Sequence, residues 1–190
     1  SMGGKRSILV GMDLRKPKLA SHFTGVSRDK GASGYLAGIY ELDECIQSTG
    51  VENFDIMVSG EIPPNPSELI MSERMDQMIQ ELSDRYDYVV IDTPPIGLVT
   101  DGLIMSKYAM ASIYVVRQGF TLKGQLDYVN DLYEEGKMKN LSILFNAVKY
   151  DASRYGYSYG YGYGYGYYDS DDQNKGILGR VLASFKRKVS

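Results

Sequence analysis

The chain has 190 residues, of which 43% are hydrophobic and 24% are charged, and its formal net charge is −3. This length suits one domain with a substantial buried core, and the composition is that of an ordinary globular protein. No apolar run approaches the roughly 18 residues of a membrane-spanning helix, and the first residues lack the pattern of a signal peptide. Cys45 is the only cysteine, which excludes a disulfide framework and favours a reducing compartment.

Charge and composition divide the sequence into three parts. Residues 1–150 carry 20 acidic and 15 basic side chains, and residues 151–174 are also acidic. Residues 175–190 carry basic side chains and no acidic ones. We therefore predict an α/β domain over 1–150, a tyrosine-rich tail over 151–174 and a basic amphipathic segment over 175–190.

In chain order, short apolar runs alternate with amphipathic patterns. The runs have the size of buried strands and cover residues 7–12, 54–59, 86–92, 111–116 and 141–148. Between the second and third runs, Asn65 can cap a helix that has Pro66 at its first position and apolar residues up to the next strand. A later apolar stripe runs from Leu122 to Leu132. This alternation predicts an α/β fold with a doubly wound, mostly parallel sheet covered on both faces.

Two aspartates follow buried strands in this pattern. Asp13 comes directly after the run 7–12, and Asp92 ends the run 86–92. The carboxyl ends of parallel strands meet at one edge of the sheet, where such folds bind ligands. Carboxylates at this edge hold Mg²⁺ beside nucleotide phosphates. The alternative is that each aspartate only caps a strand or begins a turn, but two at equivalent strand ends favour the metal-phosphate site.

Three segments carry a recognisable combination of motifs: ILVGMDLRKP (8–17), PPNPSEL (63–69) and VVIDTPP (89–95). In this order and spacing they resemble the bacterial tyrosine kinases of capsule and exopolysaccharide synthesis, the polysaccharide co-polymerase autokinases. VVIDTPP alone is shared with septum-site and partition ATPases, whereas its combination with PNPSEL and a tyrosine tail is specific. The resemblance spans nearly the whole chain and implies a P-loop NTPase-like kinase fold that binds ATP and Mg²⁺.

The resemblance also implies roles for individual residues. Asp13 falls in the second, strand-borne Walker motif and Asp92 falls in Walker B, so both are candidate catalytic residues and magnesium ligands. Asn146 falls where related ATPases contact the adenine. Arg15 and Lys16 belong to the loop of Asp13 and are candidates to face phosphate; the alternative is that they are solvated surface charges.

The sequence departs from the family pattern in two places. The family usually has Asp-x-Asp-x-Arg in its second Walker motif, and Gly11 stands here in place of the first aspartate, which leaves Asp13 as the base or metal partner. No G-x-x-x-x-G-K-[ST] phosphate loop occurs in the sequence, although this loop cradles the phosphates in the fold. With the scar-like start SMGG, we expect a fragment that lacks the N-terminal part of the fold and is inactive by itself.

The tail presents tyrosines that alternate with glycine or serine. Such spacing keeps the backbone pliable, so that several phenols can reach one site. Beside a nucleotide-site signature, we predict a disordered tether of phosphoacceptors: Tyr155, Tyr157, Tyr159, Tyr161, Tyr163, Tyr165, Tyr167 and Tyr168. The alternatives are weak β-association of the tail or stacking on bases.

The resemblance implies an autokinase that phosphorylates its own tail and regulates polysaccharide chain length and export. The implied partners are neighbouring subunits of a ring-like homo-oligomer that phosphorylate one another, the polysaccharide machinery and an opposing tyrosine phosphatase, with no nucleic acid. The implied location is the cytoplasmic side of an inner-membrane protein, where segment 175–190 lies on the membrane or docks on the domain or tail. The alternative function is a non-catalytic or partition-ATPase-like assembly module whose tail is modified by another kinase or self-associates.

Overall fold

The computed structural model describes residues 3–97 and 99–149, so the predicted tail and basic segment lie outside the described residues. Its strands are β1 (Ser7–Gly11), β2 (Ile46–Val51), β3 (Phe54–Met57), β4 (Tyr88–Asp92), β5 (Ser112–Arg117) and β6 (Leu141–Asn146). Its helices are α1 (Ala32–Leu36), α2 (Leu42–Cys45), α3 (Pro66–Ile70), α4 (Glu73–Arg85), α5 (Asp101–Met105) and α6 (Lys123–Glu134). The predicted alternation of strands and helices is confirmed.

One sheet contains four strands in the order β2-β3-β1-β4. β1 lies parallel to both β3 and β4, and the register pairs Gly11 with Asp92 at the carboxyl ends of β1 and β4. Four of the five residues of β1 are buried, as expected for a central parallel strand. The residues that follow β1 are therefore placed beside the end of β4.

The sheet also includes a strand that the apolar pattern does not predict. β2 pairs antiparallel with β3, through a turn in which Asn53 has a φ of 58°. Its sequence, IQSTGV, has no continuous apolar run, and its register shifts between Ser48 and Val51. A short, polar and irregular strand of this kind is typical of a sheet edge, which solvent faces.

The helical segment after Asn65 is two helices rather than one. α3 has Pro66 in its first turn, as predicted, but a break at Ser72 separates it from α4. The Ser72 hydroxyl donates to the Leu69 carbonyl oxygen (2.7 Å), and such bonds compete with helical backbone bonding. α4 then buries its apolar stripe: Met75, Met78 and Leu82. α4 is the longest described helix at 13 residues, and no described helix is both long and apolar enough to span a bilayer.

β5 and β6 form a second, two-stranded parallel sheet. The mostly parallel character is confirmed, but the strands fall into two sheets, and both faces are covered only around β1 and β3. Apolar side chains of the other strands are more than half exposed: Tyr88, Val90, Ile113, Val115, Ile143 and Phe145. Side chains on the face of a sheet are buried only where a helix packs on it, and α6 buries only Val129 and Leu132 of its predicted stripe.

Candidate active site

The site begins at the carboxyl ends of β1 and β4. The Met12 backbone N–H donates to the Asp92 carbonyl oxygen (2.7 Å), so the two chains stay paired up to the residue before Asp13. Oδ1 of Asp13 then accepts two backbone N–H groups of its own loop, from Arg15 (3.2 Å) and Lys16 (2.9 Å). This turn is characteristic of aspartate. No described residue donates to Oδ2, so one oxygen of Asp13 is held in place and the other is open.

The carboxylate of Asp92 lies in an unfavourable electrostatic environment. Neighbouring protein atoms desolvate it and raise its pKa above the ordinary value, although the residue as a whole is exposed. The nearby charge of Asp13 raises the pKa further, whereas His22 lowers it. A like charge at close range disfavours the ionised form of a carboxyl group. The two predicted aspartates are therefore brought together without a protein cation bonded to Asp92 in the described chain.

Asp13 and Asp92 fit a Mg²⁺ ion that is shared with nucleotide phosphates. Mg²⁺ is bound in proteins by one or two carboxylates, with water and substrate phosphates completing the shell. Each aspartate offers carboxylate oxygen that no described residue donates to. Across residues 3–97 and 99–149, no three His, Cys, Asp or Glu side chains form a group that could hold a metal. Two carboxylates match the number of protein ligands that Mg²⁺ takes when nucleotide phosphates and water complete its shell.

Arg15 turns its guanidinium toward α5 and α3. Its Nε donates to Oδ2 of Asp101 (2.7 Å), and its Nη2 donates to Oδ1 of Asp101 (3.2 Å) and to Oγ of Ser67 (2.8 Å). The hydrogen bond from Arg15 holds the pKa of Asp101 below its ordinary value, and Ser67 contributes in the same direction. The side chain of Lys16 is exposed. That Arg15 faces phosphate stays a prediction, because its contacts here are with protein groups.

The position of the replaced aspartate has no room for a side chain. A Cβ at Gly11 would lie 2.9 Å from Oγ of Ser59, 3.1 Å from the Ser59 backbone nitrogen and 3.1 Å from Cδ2 of Leu19. Ser59 itself is buried. The hydroxyl of Ser59 therefore occupies the space beside β1 that a side chain at position 11 would need.

Restoring the family residue by Gly11→Asp should destabilise the protein by about 1–3 kcal/mol, because overpacked sites force neighbours to shift. Denaturant unfolding measures the change. Adding Ser59→Ala removes the nearest clashing atom and should recover part of the loss. The control is Gly124→Asp, where nothing lies within 4 Å of the added Cβ and little change is expected. A Gly11→Asp protein as stable as wild type would contradict the crowding.

A cavity of about 310 Å³ opens beside this crowded position. Its lining comes from the loop after β1 and the end of β3: Pro17, Lys18, Leu19, Ala20, Ser21, Arg28, Val58, Ser59 and Gly60. Ligand pockets in proteins occupy about 300–1,000 Å³. The cavity is thus large enough for a small group, and two cationic side chains line it.

Asn146 belongs to a different sheet from this aspartate pair. Asn146 ends β6 in the second sheet, where its Oδ1 accepts the Ala147 backbone N–H (2.7 Å). Its contact with adenine stays a prediction. The eight predicted phosphoacceptors, Tyr155 to Tyr168, lie outside the described residues.

Three residues of the site were missed by sequence reasoning. Ser67 lies inside the PNPSEL motif, but its spacing reveals no partner. Asp101 follows VVIDTPP by several residues and resembles an ordinary acidic residue in the first turn of a helix. His22 was given no role, although it contributes to lowering the pKa of Asp92. Their partners are distant in sequence, so only the fold brings them to the site.

Comparison with known proteins identifies relatives by sequence. Tyrosine-protein kinase Wzc of Salmonella typhimurium is 36% identical over 151 residues, which cover 80% of this chain and 21% of Wzc. Tyrosine-protein kinase CpsD of Streptococcus agalactiae serotype III is 30% identical over 156 residues, which cover 82% of this chain and 67% of CpsD. The chain thus spans about a fifth of the length of Wzc. No family model matches the chain.

Comparison with solved structures identifies the same kind of protein. The kinase domain of the Escherichia coli tyrosine kinase ETK matches with a TM-score of 0.73 and 36% identity, over 84% of this chain and 62% of that domain. MinD of Pyrococcus horikoshii, a septum site-determining protein solved with Mg-ADP, matches with a TM-score of 0.58 and 21% identity, over 75% of this chain and 57% of MinD. The second match shows the fold alone, which is P-loop NTPase-like. The chain belongs to the bacterial tyrosine-protein kinases, the family of Wzc, CpsD and ETK.

Proposed function

We propose that this protein is part of a tyrosine autokinase that transfers the γ-phosphate of ATP to tyrosines of its own tail and of neighbouring copies. The observation that carries the proposal is the meeting of Asp13 and Asp92 at the carboxyl ends of β1 and β4. Two close carboxylates with open oxygens suit metal-assisted phosphoryl transfer. Family membership supports the same reaction.

Asp13 is proposed to receive the phenol proton. In the reaction, the tyrosine oxygen bonds to the γ-phosphorus while the bond from that phosphorus to the bridging oxygen breaks and releases ADP. Oδ1 of Asp13 is occupied by the backbone N–H groups of Arg15 and Lys16, which leaves Oδ2 to accept the proton. These two hydrogen bonds fix the direction in which Oδ2 faces.

Asp92 is proposed to hold Mg²⁺. Asp13 would be a second ligand through the same Oδ2, so it would serve either as a ligand or as the base, not as both at once. The bound ion would neutralise charge on the phosphate oxygens. Arg15 adds positive charge near the phosphates, and Asn146 is proposed to contact the adenine. The cavity beside Ser59 is proposed to admit the tyrosine that is phosphorylated.

The wider role follows from the family. We propose that phosphorylation of the tail regulates capsule or exopolysaccharide chain length and export, in contact with the polysaccharide machinery and against an opposing phosphatase. Each phosphate adds about −1.5 to −2 charges near neutral pH, and the domain is already acidic. Repulsion would loosen contacts between subunits of a ring-like homo-oligomer. The proposed location is the cytoplasmic face of the inner membrane.

One observation favours a second function, a non-catalytic assembly module. The family aspartate at position 11 is replaced by Gly11, and Ser59 fills the space beside it. A site with one carboxylate fewer has lost one candidate for activating the phenol. In this alternative, another kinase modifies the tail and the fold serves only to assemble.

Nucleotide titration of two protein lengths separates these functions. The 190-residue chain should bind ATP-Mg²⁺ weakly or not at all, because its sequence holds no phosphate loop. A version extended upstream to include the loop should bind ATP-Mg²⁺ and phosphorylate itself on tyrosine. A micromolar dissociation constant for the short chain would contradict the need for the loop. ATP binding without tyrosine phosphorylation in the extended protein would favour the assembly module.

A further inference from the structure

A buried carboxylate lies next to the active-site loop without belonging to the metal pair. Asp101 begins α5 and is 1% exposed, and buried carboxylates are rare unless they are paired. Its two oxygens accept a two-pronged contact from the Nε and Nη2 of Arg15. Such fork-shaped contacts fix the orientation of both groups as well as attracting them.

Ser67 completes a ring of hydrogen bonds with Arg15 and Asp101. Its hydroxyl accepts from Nη2 of Arg15 (2.8 Å) and donates to Oδ1 of Asp101 (2.9 Å). The three side chains come from the loop after β1, from α3 and from α5. Arg15 and Ser67 are 52 positions apart along the chain, and Ser67 and Asp101 are 34 positions apart. The ring therefore ties the loop after β1 to both α3 and α5.

The ring acts on the same residue whose backbone holds Asp13. The N–H of Arg15 and that of its neighbour Lys16 both donate to Oδ1 of Asp13. Anchoring the Arg15 side chain thus restricts the backbone that orients Asp13. We propose that Asp101 and Ser67 are positioning residues, which hold the loop of Asp13 in its working conformation through the guanidinium of Arg15. The catalytic part of this inference rests on the proposed kinase function, whereas the structural part does not.

The first test measures the loop directly in the 190-residue chain. NMR water exchange reports on the Arg15 and Lys16 amides, which Asp13 protects. Asp101→Asn, which removes the charge at nearly constant shape, should speed their exchange about tenfold, since local hydrogen bonds open more often when an anchor is lost. Ser67→Ala should have a smaller effect in the same direction, and Ser67→Thr, which keeps the hydroxyl, should restore protection.

Controls separate loop release from general destabilisation. Asp43 also pairs with an arginine, Arg85, but on an exposed surface, so Asp43→Asn should leave the two loop amides unchanged. The amide of Met78 in the buried stripe of α4 reports on the global fold and should keep its protection in every variant. Unchanged exchange at Arg15 and Lys16 in both Asp101→Asn and Ser67→Ala would overturn the proposal.

The second test uses the protein extended upstream and measures autophosphorylation. Arg15→Lys keeps the charge but loses the fork, so it should lower kcat about tenfold, as changes in supporting contacts of an active site commonly do. Asp101→Asn should lower kcat similarly, and the double variant should be no worse than either single one because the pair acts as one unit. Additive losses would overturn the pairing. If the wild-type extended protein showed no kinase activity, the proposed function would fail, while the exchange test of the loop would still stand.

Discussion

Asp92→Asn should lower tyrosine autophosphorylation of the upstream-extended protein on the order of 10²–10³-fold, the loss seen when one charge-stabilising group of an active site is removed. The substitution keeps the size of the side chain and removes its charge, so the metal site weakens while the fold is kept. Incorporation of labelled phosphate from ATP measures the loss. Raising the Mg²⁺ concentration should recover part of the activity, because the weakened step is metal binding.

Asp13→Asn should also strongly lower tyrosine autophosphorylation, for a different reason. Asparagine still offers an oxygen to the Arg15 and Lys16 amides, so the loop keeps its turn, but the side chain no longer takes up a phenol proton. Added Mg²⁺ should therefore recover less activity than in Asp92→Asn. The matched control is Asp84→Asn on α4, an exposed carboxylate that accepts a hydrogen bond from Gln80 rather than from a residue of the site. Near-full activity of Asp13→Asn would show that the base is assigned wrongly.

Replacing all eight tail tyrosines, Tyr155 to Tyr168, by phenylalanine should remove most of the phosphate that the extended protein incorporates. ATP binding should persist, because the proposed nucleotide site involves Asp13 and Asp92 and no residue of the tail. Phenylalanine keeps the ring and removes only the accepting hydroxyl. Calorimetry for ATP and labelling for phosphate separate the two properties in one protein.

Single Tyr→Phe replacements in the tail should barely change total phosphate. The alternating glycines remove local sequence context, so we expect the site to recognise little beyond the phenol itself. Phosphopeptide mapping of each single variant is the measurement, with the unchanged tail as the reference. Loss of nearly all signal from one replacement would show a unique acceptor and contradict interchangeable tyrosines.

The fold could be predicted from the sequence where burial dictates residue type. β1, β3 and β4 lie within the predicted apolar runs, and their order along the chain places Asp13 and Asp92 at one edge. β2 could not be predicted, because an edge strand needs little apolar surface and its sequence is mostly polar. The break between α3 and α4 at Ser72 could not be predicted either, because the helical spacing of apolar residues continues across it. The hydroxyl of Ser72 bonds to the Leu69 carbonyl oxygen there.

The candidate site was predictable only in part. Asp13 and Asp92 are recognisable because they directly follow strands, a local feature of sequence. The pairing of Arg15 with Asp101 joins residues 86 positions apart, and nothing in the spacing of either residue indicates it. The crowding at Gly11 is likewise invisible, since Ser59 reaches it from another strand's end. Contacts between distant segments depend on how the elements pack, and the spacing of residues in the sequence does not predict that packing.

The division of the strands into two sheets has a consequence for cooperativity. Within the described residues no backbone ladder joins β4 to β5, so breaking one sheet does not break hydrogen bonds in the other. Their coupling depends on isolated contacts, such as the Ser106 hydroxyl just after α5, which donates to the Lys137 carbonyl oxygen just after α6 (3.1 Å). Regions joined by few contacts open as separate units at different free energies. The chain up to Lys149 nonetheless forms one compact unit, so we expect the two ladders to differ in local opening, with the amides of β5 and β6 exchanging faster than those of β1.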